Sequence, residues 1–201
     1  MAGRTRRLFG ALPAYAHVAW EALAPRGVGG AGRARVVQAV VRSDAGILLC
    51  TRRELWGWEL PGGTVRSGER DEAALLREVR EETGVEIAVG RLVGIYERSG
   101  FRGHEARVYL GRLTGGHLHP SLETPRVAWF REDALPPTIF PWFRTPLEDA
   151  LANHPETVMR REHQGLGAIW AGARIDLATR WEIGDPPPAG SDLYDSDAKR
   201  R

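Results

Sequence analysis

The stretch Pro61–Val85, PGGTVRSGERDEAALLREVREETGV, carries Glu69, Glu72, Glu78, Glu81 and Glu82. Like charges at helical spacing repel one another and weaken the helix that bears them. The boundaries nevertheless read as a helix. Ser67 or Gly68 is placed to cap its start, Glu69, Asp71 and Glu72 fall in or beside a first turn where the helix dipole favours anions, and Gly84 stops it. Those early acids need no special account. The later ones do, because Glu78, Glu81 and Glu82 stand near the C-terminal end, where the dipole opposes negative charge.

At ~100° per residue, Glu78, Glu81 and Glu82 share one stripe roughly 100° wide. Leu75, Leu76, Val79 and Thr83 form an adjacent apolar stripe, and Arg70, Arg77 and Arg80 take the remaining side. Three carboxylates presented together are costly unless protons or cations compensate them. Oxygen ligands converging from one face suit Mg²⁺, with Mn²⁺ as a substitute, and no His/Cys set at zinc-like spacing accompanies them. Mg²⁺ commonly sits between one or two carboxylates and substrate phosphates, which directs attention to phosphate chemistry. By spacing alone, a solvated charged helix face explains the pattern equally well.

The surroundings read as strands. RVVQAVVR (35–42) and GILLCTR (46–52) are separated by the turn signal Ser43-Asp44-Ala45-Gly46, a hairpin by its chemistry. LWGWELPGG must turn sharply, since Pro61 breaks pairing and Gly62-Gly63 permit backbone shapes that other residues avoid. GRLVGIYER, ARVYLGRL and RVAWF predict further strands, and a second helix is expected around Pro146 to Asn153. Strands on both sides of a central helix, without regular alternation, give an α+β sandwich with a mixed sheet.

The flanks differ. In residues 1–32, Leu8, Leu12, Tyr15, Ala19 and Leu23 recur at helical spacing before Pro25 and GVGGAG, which predicts an amphipathic helical arm against the main domain or a second subunit. Residues 33–153 form the main domain. In the extension 154–184, Ile175, Leu177, Thr179, Trp181 and Ile183 alternate with Asp176, Ala178, Arg180 and Glu182, which predicts a half-buried strand or a dimer contact. Residues 185–201, polar and proline-rich, predict a disordered tail.

With 201 residues, 42% hydrophobic and 27% charged, the chain holds one domain of ordinary size plus extensions. No apolar run nears the roughly 18 residues of a membrane span, and no secretory signal is read at the N-terminus. The lone Cys50 lies in an apolar run; it excludes an internal disulfide, fits a reducing cytoplasm and reads as a small core hydrophobe. A net charge of +2 is too small to argue for nucleic acid by itself.

The acidic segment resembles the signature of the Nudix hydrolases: Gly, five residues, Glu, seven residues, Arg-Glu, an apolar residue, any residue, Glu-Glu, any residue, Gly, an apolar residue. Gly63, Glu69, Arg77, Glu78, Val79, Glu81, Glu82, Gly84 and Val85 fill every fixed place. Chance would supply the seven identities in roughly one chain in a million of this length, so the match is strong. Upstream, ELPGG also resembles the family pattern, and the likeness spans Arg35 to about Ala152.

The resemblance implies a Nudix α/β/α sandwich that hydrolyses a nucleoside diphosphate linked to another moiety, by water attack on phosphorus with divalent metal. ADP-ribose, a dinucleoside polyphosphate or a nucleoside triphosphate would each qualify. It makes Glu78 and Glu82 metal ligands, with Glu81 as a further carboxylate and the Gly62 carbonyl as a backbone ligand. Arg77 would orient the glutamates, and Glu69 would support the site or an additional metal. The general base is either Glu78 or Glu123, six residues before Trp129 in a loop leading to RVAWF, a place similar to where several members carry a catalytic glutamate.

For the substrate, Trp56, Trp58, Tyr96 and Phe101 are candidates to stack a base, and Arg52, Arg53, Arg102, His104 and Arg107 to pair with phosphate. Core packing and solvated surface are the competing readings for these residues. Two other functions share the fold: a nucleotide-sensing module without turnover, which need not retain the full glutamate set, and trimming of RNA 5′ ends guided by the basic arm.

Overall fold

The computed structural model describes residues 34–100 and 103–183. The expected helical arm, the polar tail, Phe101 and Arg102 lie outside the described residues.

The hairpin forms where the turn chemistry places it. Strand β1 (Arg35–Ser43) pairs antiparallel with β2 (Gly46–Thr51) through Arg42↔Ile47 and Ser43↔Gly46. Gly46 has φ 118°, and a Cβ there would lie 2.1 Å from the Phe130 carbonyl oxygen, so the turn and the next strand together require glycine. Beyond β2 come β3 (Trp58–Glu59) and β4 (Gly62–Thr64), then helix α1 (Asp71–Thr83), β5 (Val85–Gly100), β6 (His104–Gly116) and β7 (Arg126–Phe130). Helix α2 (Pro141–Leu151), strand β8 (Val158–Gln164) and helix α3 (Leu166–Ile183) complete the described chain.

The sheet runs β3-β2-β1-β6-β5-β8, with β4 on β1 and β7 on β2. Its β1–β6 and β5–β8 pairs are parallel and the rest antiparallel, so the sheet is mixed. Alternation along β1 separates two cores. Val37, Ala39 and Val41 face α1 through Ala74, Leu75 and Val79, whereas Val40 faces Phe143, Leu147 and Ala150 of α2. The result is an α/β/α sandwich, as the motif implied.

Helix α1 begins later than its capping signals suggest. Arg70 takes the N-cap position without a side-chain bond, and Ser67 and Gly68 precede the helix. Gly84 ends it as expected, at φ 77° with its N–H on the Arg80 carbonyl. Leu76 is exposed and Ala74 takes the place assigned to it.

Helix α2 begins at Pro141, well before the expected start at Pro146, which lies inside it. A proline at the first helical position costs nothing, since that N–H has no intrahelical partner. An interior proline leaves the carbonyl four residues back without a donor. Here that carbonyl belongs to Trp142, and the Arg98 guanidinium donates to it.

The extension departs most from expectation. Residues 175–183 belong to α3, not to a strand. Its buried positions, Gly172, Asp176, Thr179 and Arg180, follow helical spacing but are polar or small, while Leu177 and Trp181 are exposed, so an apolar-periodicity reading selects the wrong period. Strand β8 is polar and buries only Gln164 fully, yet it closes the sheet edge against β5.

Strand β8 also neutralises buried charge. Arg98, 1% exposed, donates its Nε to Glu162 at 3.0 Å, and Asp149 accepts both Arg160 nitrogens at 2.8 and 2.6 Å together with the Tyr96 hydroxyl at 2.8 Å. Removing one member of a buried pair strands the other charge in a poor solvent. Glu162→Gln is therefore expected to lower unfolding stability by about 3 kcal/mol in urea titration, whereas Asp133→Asn, in the exposed pair with Arg131, should leave the urea midpoint unchanged.

Candidate active site

Register places two glycines under the acidic face of α1. β4 pairs with β1 through Val37↔Gly63 and Gln38↔Gly62, and a Cβ on Gly62, at φ 148°, would lie 2.1 Å from the Val37 carbonyl oxygen. A Cβ on Gly63 would fall 2.4 Å from the Glu78 carboxyl carbon, so the bare backbone here seats that carboxylate. Next to it the Gly62 N–H donates to Glu82 Oε2 at 2.8 Å.

Two arginines divide the carboxylates between them. Arg77 donates Nε and Nη2 to Glu69, both at 3.0 Å, and Nη1 to Glu78 at 2.7 Å and Glu81 at 3.5 Å; Nη2 also reaches the Thr64 carbonyl. Helical spacing puts Arg77 on the side left by the acidic and apolar stripes, and its long side chain reaches round to the acids that the resemblance has it orient. Arg52 donates Nε to Glu59 and Nη2 to the Gly62 carbonyl at 3.0 Å and Glu82 at 3.3 Å.

The two halves differ in solvation, and the carboxyls respond in opposite directions. Hydrogen bonds from Arg77, aided by the Arg66 N–H, hold Glu69 down at about 2. Glu82 is pushed up to about 8: burial is the largest cause, and the charges of Glu59 and Glu78 add to it against the pull of Arg52 and the Gly62 N–H. The Arg52 guanidinium is held charged, chiefly by Glu59. A buried carboxyl that favours its proton beside two other acids is a place where a cation can replace that proton. Among the described residues no three acidic, histidine or cysteine side chains stand at metal-holding spacing; the carboxylates are paired with Arg52 and Arg77.

The remaining candidates divide. Glu123 is exposed in the loop before β7, and its carbonyl accepts the Arg53 N–H at 2.9 Å, which seats that loop beside the end of β2. Trp58 is 4% exposed, edge-on to Phe130 at 4.7 Å and under the Arg126 guanidinium at 4.7 Å; Trp56 is 7% exposed under Arg180 at 4.6 Å. Both rings are core and are withdrawn from base stacking, as is the fully buried Tyr96. Arg107 is engaged elsewhere, with Asp71 at 2.9 Å and Glu105 at 2.7 Å near the start of α1. Arg53 is exposed. Cys50 is buried in the α1-side core, as expected.

Glu59 was missed. It is 6% exposed, ion-paired to Arg52 and close enough to raise Glu82. The available signal was its place two residues before Pro61, in ELPGG. Among the described residues no helix is long and apolar enough to cross a membrane.

Comparison with known proteins bears on the same segment. The family model described as NUDIX domain matches residues 32–150. A "MutT-like protein" of Streptomyces ambofaciens is 35% identical over 137 residues, covering 68% of this chain and 87% of its own. A Bacillus subtilis (strain 168) protein named "Putative 8-oxo-dGTP diphosphatase" is 34% identical over 142 residues, covering 70% and 91%. Among solved structures, a NUDIX hydrolase from Nitrosomonas europaea shares the fold with TM-score 0.61 at 20% identity, covering 69% of this chain and 84% of that one. An ADP-ribose pyrophosphatase from Streptococcus suis superposes with TM-score 0.53 at 25% identity, covering 65% and 99%.

The two states of Glu82 give a pH test. The folded chain keeps a proton up to about pH 8 that the unfolded carboxyl loses near 4.5, so ionising it in place works against folding as pH rises across that interval. In chelator, the urea midpoint of the wild type, relative to Glu82→Gln, is expected to fall from pH 5 to pH 8; a relative midpoint that rises would contradict the assigned burial.

Proposed function

The chain belongs to the Nudix hydrolase family, and from that premise we propose that it is a divalent-cation-dependent hydrolase that opens the diphosphate of a nucleoside triphosphate. As a member of this family it is an enzyme, a pyrophosphohydrolase of nucleoside diphosphate derivatives. The observation that carries the finer reading is the carboxylate set of α1 seated on Gly62 and Gly63. The two relatives that match over most of their length, one MutT-like and one bearing a nucleoside triphosphate in its name, favour a triphosphate over ADP-ribose.

Glu78 and Glu82 would hold Mg²⁺, or Mn²⁺ in its place, with Glu81 and the Gly62 carbonyl adjoining and Glu69 in support. The donor set fits a hard cation: all oxygen, with one member buried. When bound, such a cation supplies neutralisation of the diphosphate and acidification of an attacking water. The protein does the rest. Arg77, by gripping Glu69, Glu78 and Glu81 at once, presets the acidic face and releases carboxylate oxygens as ligands arrive. Arg52 holds the opposite rim and keeps Glu82 against the Gly62 N–H. Glu123, exposed on a loop anchored at Arg53, would take the proton of the attacking water; Glu78 is the alternative base. Arg53 at the same rim would meet phosphate.

We take residues 33–153 as the catalytic unit and 154–184 as the extension that braces it. The lone buried Cys50 fits a reducing cytoplasm.

A panel of nucleoside triphosphates, ADP-ribose and dinucleoside polyphosphates with Mg²⁺ and with Mn²⁺, read by product chromatography, tests the substrate. Monophosphate plus pyrophosphate from a triphosphate is expected, and turnover of ADP-ribose alone would overturn the choice. Glu82→Gln should leave the circular dichroism spectrum intact and lower turnover at least about a hundredfold, and equal turnover at saturating Mg²⁺ would remove Glu82 from the site. For Glu123→Gln a fall in turnover with cation affinity little changed is expected; unchanged turnover would move the base to Glu78.

A further inference from the structure

Segment 52–57 connects β2 to β3 and forms one rim of the acidic site. At its start stands Arg52, which reaches Glu59, Glu82 and the Gly62 carbonyl. Its middle is held by α3, from the extension beyond the family match. Asp176, with no exposed surface, accepts the Trp56 N–H on Oδ1 at 2.6 Å and Arg180 Nε on Oδ2 at 2.8 Å. Arg180, one turn on, donates Nη2 to the Glu54 carbonyl at 2.9 Å and lies 4.6 Å over the Trp56 ring. Two side chains of one helical turn therefore grip a carbonyl, an N–H and a ring within three consecutive residues.

A buried ion pair is weak evidence for stability, since apolar residues of similar volume often serve as well. What such a pair does supply is a defined backbone conformation, because each lone pair and N–H must meet its partner at fixed distance and angle. Three residues, Arg53, Glu54 and Leu55, separate Arg52 from Trp56. A segment free to shift at Trp56 would let the guanidinium slide along the acids; a segment clamped there has one orientation to offer. The rim is fixed from below as well, where a Cβ on Gly57 would strike the Phe140 ring at 2.5 Å.

We infer that Asp176 and Arg180 are positioning residues for the hydrolase: through the Glu54–Trp56 backbone they set Arg52 against Glu82 and the Gly62 carbonyl, so that α3 is a distal part of the active site. This rests on the hydrolase reading above, and the test separates the two. The full chain is compared as wild type, Asp176→Ala, the near-isosteric Asp176→Asn, Arg52→Lys and Asp176→Asn/Arg52→Lys. Thr179→Val is the control, a buried site on the same helix whose hydroxyl bonds the Ile175 carbonyl.

Amide exchange by mass spectrometry, without cation or nucleotide, should accelerate at least about fivefold in peptides covering 52–60 for Asp176→Ala, with α1 unchanged and Thr179→Val like wild type. With Mg²⁺ and whichever of dGTP and ADP-ribose the wild type hydrolyses, Asp176→Asn should lower kcat about tenfold with KM within about twofold. The double variant should turn over no more slowly than Arg52→Lys alone, because both changes remove one effect. Additive losses in the double variant, unchanged exchange at 52–60, or exchange raised across the whole chain would each overturn the proposal. If the wild type hydrolyses neither nucleotide, the triphosphate reading fails, and the exchange data alone decide whether α3 sets the rim.

Discussion

The bond from the Gly62 N–H to the Glu82 carboxyl, 2.8 Å long, is the constraint on which the rest of the site depends. It joins the sheet to the face of α1 that repulsion would otherwise drive outward. To make it, β4 must bring an unsubstituted backbone against β1, and the helix must place a carboxyl inside the protein. Burial then raises that carboxyl while Arg77, from the helix, holds Glu69 low in the loop that precedes it. Neighbouring acids with opposed environments are a recurrent arrangement in active sites.

Arginine resolves the electrostatic problem posed by the acidic stripe. Arg77 and Arg52 each span several acceptors with a planar guanidinium, a geometry that lysine cannot reproduce. They neutralise the glutamates without sequestering them, since most of these contacts are shared and the outermost, to Glu81, is long and exposed. On the proposed reading, a cation entering this set would compete with guanidinium for carboxylate oxygen.

Much of this was legible in the chain. The strands at 35–42, 46–51 and 126–130 and the stop at Gly84 were readable because local chemistry and tertiary role agree there. Legibility failed where polar residues do the packing. Helix α3 buries Asp176, Thr179 and Arg180, so a hydrophobicity pattern had nothing to detect. Pro146 suggested a helix start because its missing donor is compensated by Arg98, far away in sequence. Trp56 and Trp58 looked available for stacking because their type suits ligands, and only the fold shows them under Arg180 and Arg126. Glu59 escaped because its importance lies in proximity to Glu82, which no spacing rule encodes.

The central claim is that the acidic face tolerates its charge because a divalent cation takes the place of a proton and two guanidinium contacts. Manganese binding to the nucleotide-free protein at pH 7.5, followed by the loss of the free-ion electron paramagnetic resonance signal, tests it most directly. Saturable binding by the wild type, weakened at least about tenfold in Glu82→Gln, is the predicted result. Binding of equal strength in both proteins, or none in either, would contradict the account.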